Sequence, residues 1–424
     1  MKNRLISMLR WSERYTKTDM VYLASGGFWG NFNAATVMLT TIIGSILFAR
    51  YLTKEQYGMY QYVLSIASLI GTLTLTGMNS AVTRAVARGH EGELRHSVRY
   101  QLIAGIIPML AGMCVALWYF VHDNHAFAIA FFWIAIFLPL GSAFNTWVAY
   151  LGGKKMFRVG SYYGLFNNLV SAIPVLLTIY FARNFLWVVV VNYLFVFLSS
   201  FVLYNVVLRH LKPNDERDLE TIPYGIHLSA MGILGTFAGQ IDALLVFHFI
   251  GSAALAVYSF ATILPEKLAG VLKFIPNVAM PKLAEKSEDE VRAILKKRLW
   301  MLIVLILVAA GGYALIAPFI FHTFFPTYSD SIIFTQVYSL SFFSLAATMM
   351  MTALTAQKKT KELYIISFAM PILRVILLSV FLYYYGIWGL LWAQILVNIV
   401  SFCLQLYLFW RKKPTSPLST SSIV

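Results

Sequence analysis

Apolar runs of about 20 residues recur along this chain, separated from one another by charge, and each is long enough to cross a roughly 30 Å hydrocarbon core as a helix. No other feature constrains the fold as strongly. Within a bilayer every backbone polar group must bond inside the structure, so a segment of this length spans as a helix. The strands of an outer-membrane barrel would be about ten residues long and alternate in polarity. A soluble enzyme with one anchor is excluded too, because the runs fill the sequence. With 59% hydrophobic and 12% charged residues, the 424-residue chain reads as an all-α, polytopic membrane protein.

Reading from charge to charge gives twelve spans, near 23–49, 58–78, 102–121, 126–150, 161–182, 185–207, 225–250, 253–279, 299–320, 331–356, 362–385 and 387–410. The basic residues orient them. Of 33 Lys and Arg, 27 fall in the two terminal segments and in alternate connections, whereas the opposite connections hold only Arg50, Lys54 and Arg183. Both termini are therefore expected on the cytoplasmic side. The net charge of +15 is explained by topology and calls for no nucleic-acid partner. The first apolar run lacks a small-residue cleavage site and reads as a retained span. The outward loops are too short to hold a folded domain. Of the inward ones, 79–101 and 281–298 read as amphipathic interfacial helices and 208–224 as a polar linker.

A shift of 198 residues superposes Gly27 on Gly225, Tyr60 on Tyr258, Asn79 on Asn277 and Arg84 on Lys282. After a one-residue gap, Glu91-Gly-Glu-Leu-Arg95 falls on Glu288-Asp-Glu-Val-Arg292. The expected organisation is two six-helix bundles, 1–207 and 225–410, joined by the 208–224 linker and followed by a tail, 411–424. Six spans per half is an even number, so a pseudo-twofold axis along the membrane normal should relate them. In transporters built this way the substrate site lies near the midplane.

Polar residues recur at helical spacing in several spans. Examples are Asn33, Thr36 and Thr40 in the first, and Gln394, Asn398, Ser401 and Gln405 in the last. Five charges also lie well inside spans: Asp242, Glu266, Lys267, Lys273 and Arg374. Each would cost about 2.5–3.5 kcal/mol facing lipid at mid-depth. Salt bridges such as Glu266 with Arg374 and Asp242 with Lys267 would satisfy four of them and leave a cation over. The functional reading is a water-filled, net-positive cavity for an anionic substrate, held by Lys267, Lys273 and Arg374. Arg50 and Arg84 would extend the field, and Asn33, Asn79 and Asn277 would supply hydrogen bonds. Asp242 and Glu266 are the candidates for ion coupling, because an anion arriving beside shared cations favours protonation of a neighbouring carboxylate. Pro174, Pro265 and Pro371 remove helix hydrogen bonds and can serve as hinges or as static kinks.

No phosphate-loop motif occurs: Gly152-Gly-Lys-Lys155 lacks both the spacing and the hydroxyl residue, so ATP hydrolysis is not expected. His122-Asp-Asn-His125 and the group His90, Glu91, Glu93 and His96 lack a third ligand of fixed spacing. Cys114 and Cys403 lie in apolar stretches. No metal, cofactor or catalytic residue is expected.

Gly27-Phe-Trp-Gly30, Ile46-Leu-Phe-Ala-Arg50-Tyr-Leu52, Tyr57-Gly-Met-Tyr60, Gly77-Met-Asn79 and Ala85-Val-Ala-Arg88 resemble the start of a polysaccharide-biosynthesis flippase. These are the Wzx-type carriers of lipid-linked O-antigen or capsule units, within the multidrug/oligosaccharidyl-lipid/polysaccharide exporter superfamily. Ala256-Val-Tyr-Ser-Phe-Ala261, Pro276-Asn277 and Phe324-Phe-Pro-Thr-Tyr328 extend the resemblance over essentially the whole chain. The resemblance implies two six-helix bundles around a cationic cavity. It implies movement of an undecaprenyl-pyrophosphate-linked oligosaccharide from the inner to the outer leaflet of the bacterial inner membrane, driven by a proton or sodium gradient. Membrane lipids and a polymerase or ligase of the same pathway would be its partners. A multidrug or organic-cation exporter of the same superfamily would want an acidic cavity. A membrane sugar polymerase or ligase would want a substantial outward loop.

Overall fold

The computed structural model describes residues 20–272, Pro276, Met280, Leu283 and 285–411, with side chains for Trp29 and from Phe32 onward. All regular structure among the described residues is helical. Ten helical segments among them are long and apolar enough to cross a bilayer. The last, Thr360–Trp410, breaks at Gly386 (φ 57°, ψ −140°), where glycine alone avoids strain, and so supplies two of the expected spans. Lys54–Thr72 is the remaining one, its apolar character diluted by Gln56, Gln61, Ser65 and Ser68.

The expected outward turns are closed by local chemistry. Thr53 accepts a hydrogen bond from the Gln56 N–H (3.3 Å), Asn124 from Phe127 (3.4 Å) and Asn184 from Leu186 (2.9 Å), so each satisfies a donor left over at a helix start. Asp123 and Arg183 take positive φ to reverse the chain within one or two residues.

Several expected boundaries shift, for tertiary reasons. The span expected to reach 78 stops at Thr72, and a separate helix, Met78–Ala87, follows. Gly77 lies so close to the Thr221–Phe249 helix that a Cβ there would meet Leu228 and Ser229 within 2.8 Å, and its N–H donates to Ser229 Oγ. The single helix expected over 79–101 is two, Met78–Ala87 and Glu93–Ala104, parted at Gly89 with φ 103°. Conversely, the interfacial segment and the span expected at 299–320 form one helix, Glu288–Phe324. The span at 331–356 is interrupted by a 3₁₀ turn, Ser339–Phe343, between Ser331–Tyr338 and Ser344–Ala356. Helices continue through Pro174, Pro265 and Pro371.

The chain divides into two compact units, Met1–Ser259 with His322–Ser329, and Phe260–Phe321 with Asp330–Val424. The halves drawn from the repeat, meeting at 208–224, concern sequence kinship rather than compactness. In unit 1, Met78, Leu94, Trp147 and Tyr150 are buried together, and the 208–224 linker is fastened to the turn beneath them. Asn214 bonds to the backbone of Gly89 and Glu91, Arg95 pairs with Asp215 at 2.6 Å, and Gly92 donates to the Glu216 carbonyl. Unit 2 packs Tyr313, Phe342, Met350 and Phe402 in a larger core.

The repeated acidic motif does the same work in each unit. In unit 1, Glu91 accepts from Lys154 Nζ (2.5 Å) and the Tyr150 hydroxyl (2.7 Å). In unit 2, Glu288 accepts from Lys359 Nζ (2.8 Å). Both lysines sit on equivalent helix-ending turns. Lys155 and Lys358 have positive φ, and the next residue's N–H reaches back to the carbonyl five residues earlier, Met156 to Leu151 and Lys359 to Leu354, each at 3.0 Å.

Candidate functional site

Unit 2 bears a half-open cavity of about 470 Å³ whose wall combines Glu266, Lys267, Ala269, Gly270, Tyr338, Ser341, Ser344, Arg374, Gln394 and Asn398. Four segments build it. The Ser252–Leu272 helix brings Glu266 and Lys267, which directly follow Pro265, together with the small Ala269 and Gly270, which keep the space open. The first half of Thr360–Trp410 brings Arg374 and its second half brings Gln394 and Asn398, one turn apart on one face. The interrupted span brings Tyr338 at the end of one helix and Ser341 in the 3₁₀ turn. Irregular backbone at membrane depth is tolerated where it lines a cavity, and this turn does so.

The ionisable groups of the cavity are two cations and one acid. Glu266 and Lys267 are exposed, and at mid-depth that exposure is tolerable toward water and costly toward hydrocarbon. The buried Tyr338 hydroxyl donates to Glu266 Oε1 at 3.0 Å, which orients the carboxylate. Gln394 is 7% exposed, and its Oε1 has no hydrogen-bond partner. Chemically, the space suits a small anionic group beside a neutral, hydrogen-bonding one.

The remaining sequence candidates lie elsewhere or outside the described residues. Lys273 and Asn277 are not among the described residues. Asp242 belongs to unit 1, where its Oδ2 accepts from the Tyr258 hydroxyl at 2.8 Å and its Oδ1 from the Ala243 N–H. It does not line the cavity with Glu266. Arg50 is exposed in the last turn of Met20–Tyr51. Arg84 is exposed with its guanidinium 4.9 Å from the Tyr224 ring, in a small cleft with Asp218 and Glu220. Asn33 packs on Gly164, and further along the same seam Thr40 donates to Asn168 at 3.2 Å. Asn79 is half-buried with Oδ1 unpartnered.

Sequence reasoning missed Tyr338, Ser341 and Ser344 as cavity residues. The run Tyr338-Ser-Leu-Ser341, polar in the middle of a span, was the available signal. It also missed Asn167 and Asn168, which answer the polar stripe of the first span; Asn167 accepts from Ser199 at 2.7 Å.

A family described as "Polysaccharide biosynthesis protein" matches residues 34–286. No curated protein matches the sequence. Among solved structures, an inward-facing multidrug resistance MATE family transporter of the MOP superfamily superposes with a TM-score of 0.68 at 12% identity. That match covers 88% of this chain and 94% of the transporter. The lipid II flippase MurJ in an inward closed conformation superposes with a TM-score of 0.66 at 14% identity, over 90% of this chain and 87% of MurJ. An outward-facing MATE family transporter gives 0.59 at 13% identity, over 92% and 95%. The fold is thus the two-bundle helical fold of these membrane transporters.

Proposed function

The chain belongs to the polysaccharide biosynthesis protein family, and on that premise we propose that it is a Wzx-type flippase for lipid-linked oligosaccharide. Its substrate would be an undecaprenyl-pyrophosphate-linked unit, such as an O-antigen or capsule repeat, carried from the inner to the outer leaflet of the bacterial inner membrane by alternating access. The observation that carries this reading is the cavity in unit 2, where Lys267 and Arg374 outnumber Glu266 and neutral polar side chains complete the wall. Cations of this kind hold phosphate oxygens, Arg by a planar fork and Lys as a point charge. Lys273 and Asn277, six and ten residues beyond Lys267 in sequence, are proposed to extend the same surface, and Arg50, Arg84, Asn33 and Asn79 to contact the substrate along its path.

The chain carries the substrate across without changing its covalent structure, and the gradient of an ion supplies the energy. Asp242 and Glu266 are the proposed coupling acids. Glu266 shares its cavity with both cations, so an anion that engages Lys267 and Arg374 lowers the field holding its charge. Both termini lie in the cytoplasm in this reading, and a polymerase or ligase takes the product. A multidrug or organic-cation exporter is the second reading, favoured by Glu266 in the cavity wall and opposed by the two cations around it.

The experiment is genetic. Deleting the gene should remove surface polysaccharide and leave lipid-linked units exposed on the cytoplasmic leaflet, and the wild-type chain should restore export. A Lys267→Ala/Arg374→Ala chain at normal abundance should not. Full restoration by that variant, or cation-drug sensitivity as the sole phenotype, would overturn the reading.

A further inference from the structure

The cavity in unit 2 is chemically two-sided. Its charged groups are Glu266, Lys267 and Arg374, whereas the interrupted span and the half of Thr360–Trp410 beyond Gly386 contribute only neutral groups, foremost Ser341, Gln394 and Asn398. We infer that this neutral wall is a saccharide-reading subsite adjoining the anion subsite, with Gln394 as the residue that determines which sugar is accepted. The inference rests on the proposal that the cavity takes a phosphate-linked saccharide, and deepens it.

Three observations carry it. The first is an unmet demand: Gln394 is 7% exposed and its Oε1 is sealed from solvent without a donor. An unsatisfied buried acceptor is costly, and a donor from a ligand, such as a sugar hydroxyl or an acetamido N–H, removes that cost.

The second is matching chemistry. Sugar hydroxyls both donate and accept, and so do the amides of Gln394 and Asn398 and the hydroxyl of Ser341. A wall of lysines or carboxylates could read only one half of that pattern. Apolar side chains could read neither.

The third is size. A cavity of about 470 Å³ falls within the range of sites for single small ligands, roughly 300–1,000 Å³. It has room for a phosphate with one sugar ring. A site built to hydrogen-bond a hydroxyl or amide discriminates strongly against an analogue that lacks it, because its own polar groups are then left unpaired.

The test uses the full chain in nanodiscs, with inorganic phosphate and a panel of hexose and acetamidohexose 1-phosphates as probes, and affinity measured by calorimetry. In the wild type, at least one sugar phosphate should bind about tenfold more tightly than inorganic phosphate. Gln394→Met, close in shape and without the amide, should erase that advantage and leave inorganic phosphate binding unchanged, which also shows that the cavity is folded. Asn398→Leu should reduce it, and Arg374→Met should weaken every probe alike. The inference is overturned if no sugar phosphate outbinds inorganic phosphate, or if the advantage survives Gln394→Met. Failure of the underlying reading looks different: inorganic phosphate would then not bind, or would bind independently of Arg374.

Discussion

The hydroxyl of Tyr338 donates a 3.0 Å hydrogen bond to Oε1 of Glu266, joining the interrupted span to the helix that carries the cavity's only carboxylate among the described residues. In unit 1 the Tyr258 hydroxyl holds Asp242 in the same way, at 2.8 Å. A phenol orients a carboxylate without adding a charge of its own. The tyrosines are thereby positioning residues for the two proposed coupling acids.

Tyr338→Phe should therefore lower thermal stability modestly, by about 1 kcal/mol, the order of one net hydrogen bond. Glu266→Gln alone should be of similar size. A double-mutant cycle between them, read from melting of the detergent-solubilised chain, should show a coupling of about 1 kcal/mol or more. Additive effects would mean that the contact is incidental.

Labelling from outside checks the orientation. Tyr328 is fully buried and makes a poor reporter, whereas Thr327 beside it is exposed, as is Asp123. After replacement of Cys114 and Cys403, Asp123→Cys and Thr327→Cys should react with an impermeant maleimide in intact cells, and Glu216→Cys only after permeabilisation. The reverse pattern would invert the topology.

Much of the cavity was legible in the sequence. Glu266, Lys267 and Arg374 stand out because charge within an apolar run is rare and costly, and the four-residue spacing of Gln394 and Asn398 places both on one face. Tyr338, Ser341 and Ser344 were not legible, because hydroxyl residues commonly serve helix packing and nothing in the sequence marks the 3₁₀ turn at Ser339–Phe343 that sets them in the wall. The stripe through Asn33 and Thr40 gave a face correctly and could not say what it faces, which is Gly164 and Asn168 of a neighbouring helix. The early end at Thr72 depends on the contact of Gly77 with Ser229, 152 residues away, and no local pattern encodes it.

The Glu91 clasp makes a pH prediction. Partial burial pushes the Glu91 carboxyl up, but hydrogen bonds from Lys154 and Tyr150 and the charge of Lys154 outweigh it and hold the group below its usual range. A carboxylate depressed in the folded state contributes stability that is fully present above its unfolded value, about pH 4, and is lost as pH falls through the folded value. Melting temperature measured from pH 6 down to pH 3 should fall less steeply in Glu91→Gln. The partly exposed Lys154 limits the effect to about 1 kcal/mol or less. Parallel curves would remove Glu91 from the account.

The equivalent clasp in unit 2 should matter more. Lys359 is 6% exposed, and its Nζ also donates to the Phe409 carbonyl at 3.0 Å, which ties down the end of the last helix. Glu288→Gln leaves that cation buried beside Arg292. It should cost roughly 2 kcal/mol, below the 3–5 kcal/mol of a fully buried pair because Glu288 is partly solvated. Adding Lys359→Met should recover part of the loss in the same melting assay. A double variant worse than the sum of the two single changes would show that the lysine does more than neutralise Glu288.

The central claim, that the cations of the unit 2 cavity carry an anionic lipid-linked saccharide across the bilayer, is tested most directly in proteoliposomes. A polyprenyl-pyrophosphate-linked sugar is placed on one leaflet, and its arrival on the other is read with an impermeant lectin or phosphatase. The wild-type chain should translocate it, whereas Lys267→Ala and Arg374→Ala should each slow transfer about tenfold or more, with Arg374→Lys between them and wild type. Wild-type rates in the Lys267→Ala/Arg374→Ala double variant, reconstituted at equal amount, would contradict the claim.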